Sequence, residues 1–229
     1  MSDYVPSNQG PAPEYHPIAF EDALHFLKAN YTALAVGAAI VVLVAAGLTM
    51  YFMQQRRNAE RASQMLLVAQ SPKQWEELLA QYPDAKVAPI ALLALASSQY
   101  GSGAYDQALA TYGRFLDKYP RHSMVLVAEL GKIQCQEGRN EIEPAFNGYT
   151  RFVGGHPDHF LTPQALFGRA RCLQIMRRYP EAKAIYEDFI AAHPKSEWAP
   201  QAEFALRYLD REIRAQRPVA ATNAPAGKP

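Results

Sequence analysis

Cysteine and histidine are the residue types in this chain that could support redox chemistry or bind a metal. Cys135 and Cys172 lie 37 residues apart, and His156 and His193 are separated by the same interval, with His159 close to the first of them. A shared interval places each pair at equivalent positions of a repeated unit, whereas a metal site needs its ligands at one place. We therefore predict that the cysteines are small buried hydrophobic residues, whose redox state the sequence leaves open, and that the histidines lie in loops.

The charges of the chain do not indicate catalysis or nucleic-acid binding. The formal net charge is +1, and Gly154 and Gly155 form too short a glycine run to cradle a phosphate. A basic run usually marks a solvated helix face, and a patch for an acidic partner is the alternative. Such a run occurs at Arg169, Arg171, Arg177 and Arg178. We expect no catalytic residue, no cofactor and no metal, and we expect protein rather than nucleic-acid partners.

These residues are positioned by an internal repeat of 37 residues. An aromatic residue followed by proline recurs at Tyr82-Pro83, Tyr119-Pro120, His156-Pro157 and His193-Pro194. Three further columns keep the same step: Ala108, Ala145 and Ala182; Tyr112, Tyr149 and Tyr186; Phe115, Phe152 and Phe189. Proline ends a helix because it lacks the N–H group and clashes with the preceding turn, and residues three apart share one helix face. Each unit is therefore predicted to be helix–turn–helix, and a period of this length is typical of a solenoid.

The predicted helix pairs are 87–101 with 105–118, 122–137 with 141–154, and 160–177 with 179–192. Residues 72–82 are predicted to form a second helix that lacks a first, within a helical connector over 54–83. Residues 196–215 are predicted to form a final first helix that caps the repeat domain 84–215. A column of small residues, at which neighbouring helices are expected to approach closely, comprises Ala94, Gly131, Gly168 and Ala205.

An apolar run without charged residues precedes the repeats, and it is predicted to be a transmembrane helix over 31–53. About 23 helical residues span roughly 34 Å, which is enough for a hydrocarbon core of ~30 Å. A cleaved signal peptide is the alternative, but it would need a basic start and a shorter apolar core. Residues 1–17 are predicted to be a disordered tail, 18–30 a short interfacial helix, and 216–229 a second disordered tail.

The charges that flank the apolar run bear on its orientation. Arg56, Arg57 and Arg61 follow the run, whereas Lys28 precedes it together with acidic residues. Basic residues prefer the cytoplasmic side of a membrane, so this distribution favours a cytoplasmic repeat domain.

The repeats resemble the tetratricopeptide repeat. Leu130-Gly131 and Phe167-Gly168 match the Leu-Gly pair of that motif, the alanine column matches its second-helix alanine, and the aromatic–proline pair matches its end. Gly103 and Gly138 lie near the predicted turns. The departures are three extra residues per unit and the absence of a turn glycine in the third copy, where Ile175 stands.

The whole layout resembles the YfgM-type family of ancillary subunits of the bacterial Sec translocon. The stretch FLKANYTALAVGAAIVVLVAAG, from Phe26 to Gly47, is similar to the start of that family's membrane span. This resemblance implies an inner-membrane protein whose repeats lie in the periplasm, near the translocon and periplasmic chaperones, which is opposite to the orientation that the flanking charges favour. The repeats also resemble those of CpoB and BamD, which implies a scaffold of a cell-envelope assembly or division complex as the alternative.

The sequence therefore predicts an all-α protein, with one N-terminal transmembrane helix and a tetratricopeptide-like α-solenoid that binds other proteins. Polar residues predicted to contact a partner, on the face formed by the first helices, are Gln99, Lys132, Gln136 and Arg169. Ordinary solvated positions are the alternative for these four residues. Self-association through the end repeats, and recruitment of substrates to an enzyme on another chain, remain alternative functions.

Overall fold

The computed structural model describes residue 25 and residues 27–216, and the structural statements that follow refer to these residues. Within them the chain contains nine long helices and no strand, which confirms the predicted all-α fold. The helices are α1 (Tyr31–Val68), α2 (Pro72–Gln81), α3 (Ala88–Gly101), α4 (Tyr105–Lys118), α5 (Val125–Gly138), α6 (Ile142–Gly155), α7 (Thr162–Ile175), α8 (Tyr179–Ala192) and α9 (Ala199–Gln216). The predicted tail 1–17, most of the predicted interfacial helix 18–30, and residues 217–229 lie outside the described residues.

The chain divides into two compact units, Met1–Arg57 and Asn58–Pro229. In the first unit, α1 is long and apolar enough to cross a membrane, and no residue of its most apolar stretch is buried. Length and composition alone do not distinguish such a helix from a signal sequence near an N-terminus.

In the second unit, the last turns of α1 are part of the folded core. Ala62 is fully buried, and Met65 and Leu66 pack against the cluster that contains Leu78 of α2 and Leu95 of α3. The end of α1 therefore accompanies α2, which the sequence had predicted to be a second helix without a first.

Three of the first helices begin later than the sequence predicts. The starts of α5, α7 and α9 are Val125, Thr162 and Ala199, because each helix follows a turn closed by a side chain. The Nδ1 atoms of His122 and His159 accept hydrogen bonds from the backbone N–H groups two residues later, at 3.2 and 3.3 Å. Such local bonds compete with helix formation at these residues.

The turn between α3 and α4 lies at 102–104, as the sequence predicts, and α6 begins one residue later than predicted, at Ile142. Gly103, Asn140 and Arg177 are equivalent in the repeat, and all three have a positive φ, of 78°, 62° and 59°. Glycine and asparagine tolerate this left-handed conformation, whereas arginine does not favour it. Arg177, and not Ile175, therefore takes the place of the turn glycine in the third copy.

The glycine column lies where an aromatic ring of one repeat packs on the first helix of the next. A Cβ atom added at Gly131 would lie 2.4 Å from Cζ of Tyr112, and one added at Gly168 would lie 2.4 Å from Cζ of Tyr149. Both rings are buried. The small residues are thus required by the tyrosine column, because the ring occupies the space that a side chain would fill.

Candidate functional site

The face shared by α3, α5 and α7, which we term the first-helix groove, encloses a cavity of about 410 Å³. Equivalent positions of successive repeats line it, so that the groove is built by the repeat itself. One column comprises Ile90, Val127 and Gln164, and a second comprises Ser97 and Gln134. The remaining lining residues are Leu93, Ala94, Tyr112, Met124, Leu130 and Leu161.

The lining of the first-helix groove is apolar with a few uncharged polar groups. Ile90 is 47% exposed and Met124 is 36% exposed, so apolar surface is available to a partner. Gln134 and Gln164 place amide groups beside it, and no Asp, Glu, Lys or Arg belongs to the lining among the described residues. Such a surface suits an uncharged, largely apolar segment of another protein, held by amide hydrogen bonds.

The position of the second column in the third repeat holds a charged residue that belongs to a hydrogen-bonded cluster. Arg171, which stands one repeat after Gln134, donates from Nε and Nη2 to the two carboxylate oxygens of Glu137, at 2.8 Å each. The hydroxyl of Tyr149 donates to the same carboxylate at 2.5 Å. The cluster joins α5, α6 and α7, because both carboxylate oxygens of Glu137 on α5 accept hydrogen bonds from donors on α6 and α7.

The protonation states in this cluster follow from burial and from the carboxylate. Burial alone would lower the pKa of Arg171, but its hydrogen bonds to Glu137 and the charge of that carboxylate outweigh burial and raise the pKa. Burial, and then the charge of Glu137, raises the pKa of Tyr149 far above its usual value. Arg171 is therefore a permanent cation that is already paired, and Tyr149 is a permanent donor.

Gln99, one of the predicted partner contacts, is not exposed on the groove. It is only 7% exposed, and its Oε1 accepts a hydrogen bond of 2.7 Å from the hydroxyl of Thr111 on α4. Its amide thus satisfies a buried hydroxyl instead of facing a ligand, and the prediction is corrected on this point.

The other three predicted contacts lie in a second kind of pocket, between the first and second helices of one repeat. Lys132 and Gln136 line a cavity of about 430 Å³ between α5 and α6, together with Arg151. Arg169 lines the equivalent cavity of about 200 Å³ between α7 and α8, together with Asp188. The structure does not place these residues in the first-helix groove, and their role in binding a partner remains a prediction.

The predicted limits of the second helices do not explain the misplacement, since 105–118 and 179–192 are those of α4 and α8. The orientation of α5 explains it. Gly131 packs on Tyr112 of α4, and Lys132 lies about 100° further round the helix, in the pocket beside α6. Gln134, two residues further along the chain, lies in the first-helix groove.

The cysteines and histidines have structural environments. Cys135 and Cys172 are buried free thiols, and burial raises the pKa of Cys135 to about 11 and that of Cys172 to about 12. The ring of His156 lies 5.3 Å from that of Phe152, at the end of α6. Within residues 25 and 27–216, no three His, Cys, Asp or Glu side chains are grouped as a metal site would require.

Comparison with protein families gives two matches. A model described as a tetratricopeptide repeat-like domain matches residues 24–148, and a tetratricopeptide repeat model matches residues 164–196. The first match alone covers more than half of the chain. No curated protein matches the sequence.

Solved structures of repeat proteins resemble this fold. A tetratricopeptide repeat protein from Parabacteroides merdae has a TM-score of 0.51 and 17% identity, and the match covers 71% of this chain and 62% of that protein. A kinesin light chain-type protein from Podosopora anserina with nearly identical TPR-like repeats has a TM-score of 0.53 and 13% identity, over 72% of this chain and 88% of that one. A single-substitution variant of the same protein has a TM-score of 0.54 at 13% identity, over the same shares. At these identities the likeness shows the fold alone.

Proposed function

Because the chain belongs to the tetratricopeptide repeat-like domain family, we propose that it is a membrane-anchored scaffold that binds a segment of another protein in the first-helix groove. The observation that carries this proposal is the groove itself. Residues of three successive repeats line a cavity of about 410 Å³, where Ile90 and Met124 expose apolar surface beside the amides of Gln134 and Gln164. A solenoid that buries its own core has no structural need for such a surface.

The membrane anchor is the apolar half of α1. Residues 31–53 contain no charged side chain, and large apolar side chains such as Val41 and Leu43 are more than 65% exposed. In water this exposed apolar surface would promote aggregation, whereas in a bilayer it contacts lipid chains. We expect the full chain to stay in the membrane pellet after alkaline carbonate extraction and a chain without 31–53 to be released.

The proposal extends to the cellular compartment of the repeats and to the proteins they bind. The layout of span and repeats supports an inner-membrane protein with periplasmic repeats, close to the Sec translocon and periplasmic chaperones. Alkaline phosphatase fused after Gln216 would then be active in bacterial cells. An inactive fusion with intact protein would place the repeats in the cytoplasm, as Arg56, Arg57 and Arg61 favour, and would end the periplasmic proposal.

Site-specific photocrosslinking in cells tests the groove. A benzophenone side chain at Gln134 lies in the groove, one at Lys132 lies in the α5–α6 pocket, and one at Arg114 lies on exposed α4 surface as the matched control. We expect a discrete adduct at Gln134 and none at Arg114. An adduct at Lys132 alone would contradict groove binding and restore the second pocket as the partner site.

The protein found in the adduct distinguishes the translocon role from that of an envelope-assembly or division scaffold. A translocon subunit or periplasmic chaperone, identified by mass spectrometry, supports the translocon role. An envelope-assembly or division protein supports the alternative scaffold instead.

A further inference from the structure

The last described helix, α9, exposes a face that is covered in the earlier repeats. Phe204 stands one repeat after Phe167 and two repeats after Leu130. Those two residues are 1% and 2% exposed, whereas Phe204 is 66% exposed. The outer face of a terminal helix in a solenoid is expected to be polar, and α9 departs from that expectation.

Phe204 lacks the aromatic neighbours that bury its equivalent, Phe167. The ring of Phe167 lies 5.1 Å from the rings of both Tyr186 and Phe189, which are three residues apart on α8, and 5.4 Å from that of Trp198 in the turn before α9. One repeat later the same positions hold Asn223 and Ala226, within a stretch that contains two prolines, Pro218 and Pro225. The aromatic pair that covers Phe167 therefore has no counterpart in the sequence that follows α9.

The rest of the face is basic. Arg207 and Arg211 follow Phe204 on exposed positions, where the preceding repeat holds the buried Ala170 and the hydrogen-bonding Gln174. Neither arginine makes an ion pair within the described residues. The guanidinium of Arg207 lies 5.9 Å from the centroid of Phe204.

Among the described residues, the carboxylates of α9 form no ion pair with Arg207 or Arg211. Asp210 accepts a hydrogen bond of 2.6 Å from Lys183 of α8, and Glu203 and Glu212 pair with neither arginine. Two arginines at positions that would face a second helix favour a helix that carries acidic residues.

We propose that α9 is the docking site for an acidic amphipathic helix of a partner protein, which packs on Phe204 as the second helix of a fourth repeat. Its apolar anchors are two large residues three apart, at the places of Tyr186 and Phe189, and its carboxylates pair with Arg207 and Arg211. This surface is additional to the proposed groove function, because it requires neither the groove nor the membrane span.

A peptide with the sequence of α8, YPEAKAIYEDFIAA, is a defined probe for this site. It contains the aromatic pair together with three carboxylates and one lysine. Its binding to the purified full chain in detergent is measured by fluorescence anisotropy. A matched neutral peptide carries Glu181→Gln, Glu187→Gln and Asp188→Asn together with Lys183→Gln, which leaves no charged side chain.

We expect the acidic peptide to bind, the neutral peptide to bind about tenfold more weakly, and high salt to weaken the acidic peptide selectively. In the protein, Arg207→Gln with Arg211→Gln should weaken binding of the acidic peptide about tenfold, and Phe204→Ser should weaken binding of both peptides. Arg114→Gln with Arg121→Gln removes the same charge from exposed positions elsewhere and should leave binding unchanged.

Absence of peptide binding, or binding that neither the arginine pair nor Phe204→Ser weakens, would overturn the proposal. Sedimentation of the full chain tests a second copy as the occupant. A concentration-dependent dimer that Phe204→Ser abolishes would assign the face to self-association and would likewise overturn it.

Discussion

Replacing Gly168 by alanine should destabilise the repeats, although alanine is the better helix former. The added Cβ would lie 2.4 Å from Cζ of Tyr149, about 1 Å inside ordinary van der Waals contact. The ring cannot move aside easily, because Tyr149 has no exposed surface and its hydroxyl donates to Glu137 at 2.5 Å. The strain therefore reaches the cluster that joins α5, α6 and α7.

The net effect is the difference between two terms of opposite sign. Overpacking of a core costs about 1–3 kcal/mol, and displacing the hydroxyl from its acceptor adds about 1 kcal/mol. Replacing a helical glycine by alanine recovers about 1 kcal/mol. We expect a net loss of about 1–3 kcal/mol, which for a chain of this size lowers the Tm by roughly 2–12 °C.

Gly113 is the matched control. It lies inside α4, and a Cβ at this position would meet nothing within 4 Å. Gly113→Ala should therefore stabilise the protein by about 0.5–1 kcal/mol. Circular dichroism melts of the full chain in detergent compare the variants. A Tm for Gly168→Ala at or above that of the unmodified chain would show that the tyrosine–glycine contact does not set the helix spacing.

Three further variants or conditions test the turns, the buried cluster and the thiols. Arg177→Gly should stabilise the protein by about 1 kcal/mol in a thermal melt, because it removes a non-glycine residue with φ 59° from the turn after α7. Glu137→Ala should destabilise it by about 1–3 kcal/mol in urea unfolding, since an arginine and a buried tyrosine lose their shared acceptor. Above about pH 9 the free energy of unfolding should fall, because burial raises the pKa of Cys135 to about 11 and that of Cys172 to about 12, so that unfolded thiols ionise first. Urea titrations at pH 8 and pH 10.5 measure this loss, and replacing both cysteines by serine should reduce the pH dependence.

The fold class and most helix limits could be predicted from the sequence because they depend on local properties. A proline ends a helix wherever it stands, and the 37-residue step of the aromatic and alanine columns needs no knowledge of tertiary contacts. The predicted bounds 105–118 and 179–192 are those of α4 and α8. The starts of α5 and α7 were missed because a histidine side chain competes with the helix for backbone N–H groups.

The candidate site could be predicted only in part. The sequence indicates that polar residues recur on the first helices, but the face on which each residue lies depends on how the neighbouring helices pack. In the structure, the packing of Tyr112 on Gly131 orients α5, so that Gln134 faces the groove while Lys132 lies in the pocket beside α6. This orientation depends on the contact between two helices, so the sequence of one helix alone does not specify it.

The number and period of the repeats follow from the amino-acid sequence alone, which also has Asn223 and Ala226 where an aromatic pair would continue the pattern. Which surfaces remain exposed depends on tertiary packing, since burial is set by what packs against a residue and not by the residue's type. Phe167 and Phe204 are the same residue type at the same repeat position, yet one packs against three aromatic rings and the other is exposed. The difference arises because each first helix is covered by the second helix that follows it, and no such helix follows α9 among the described residues.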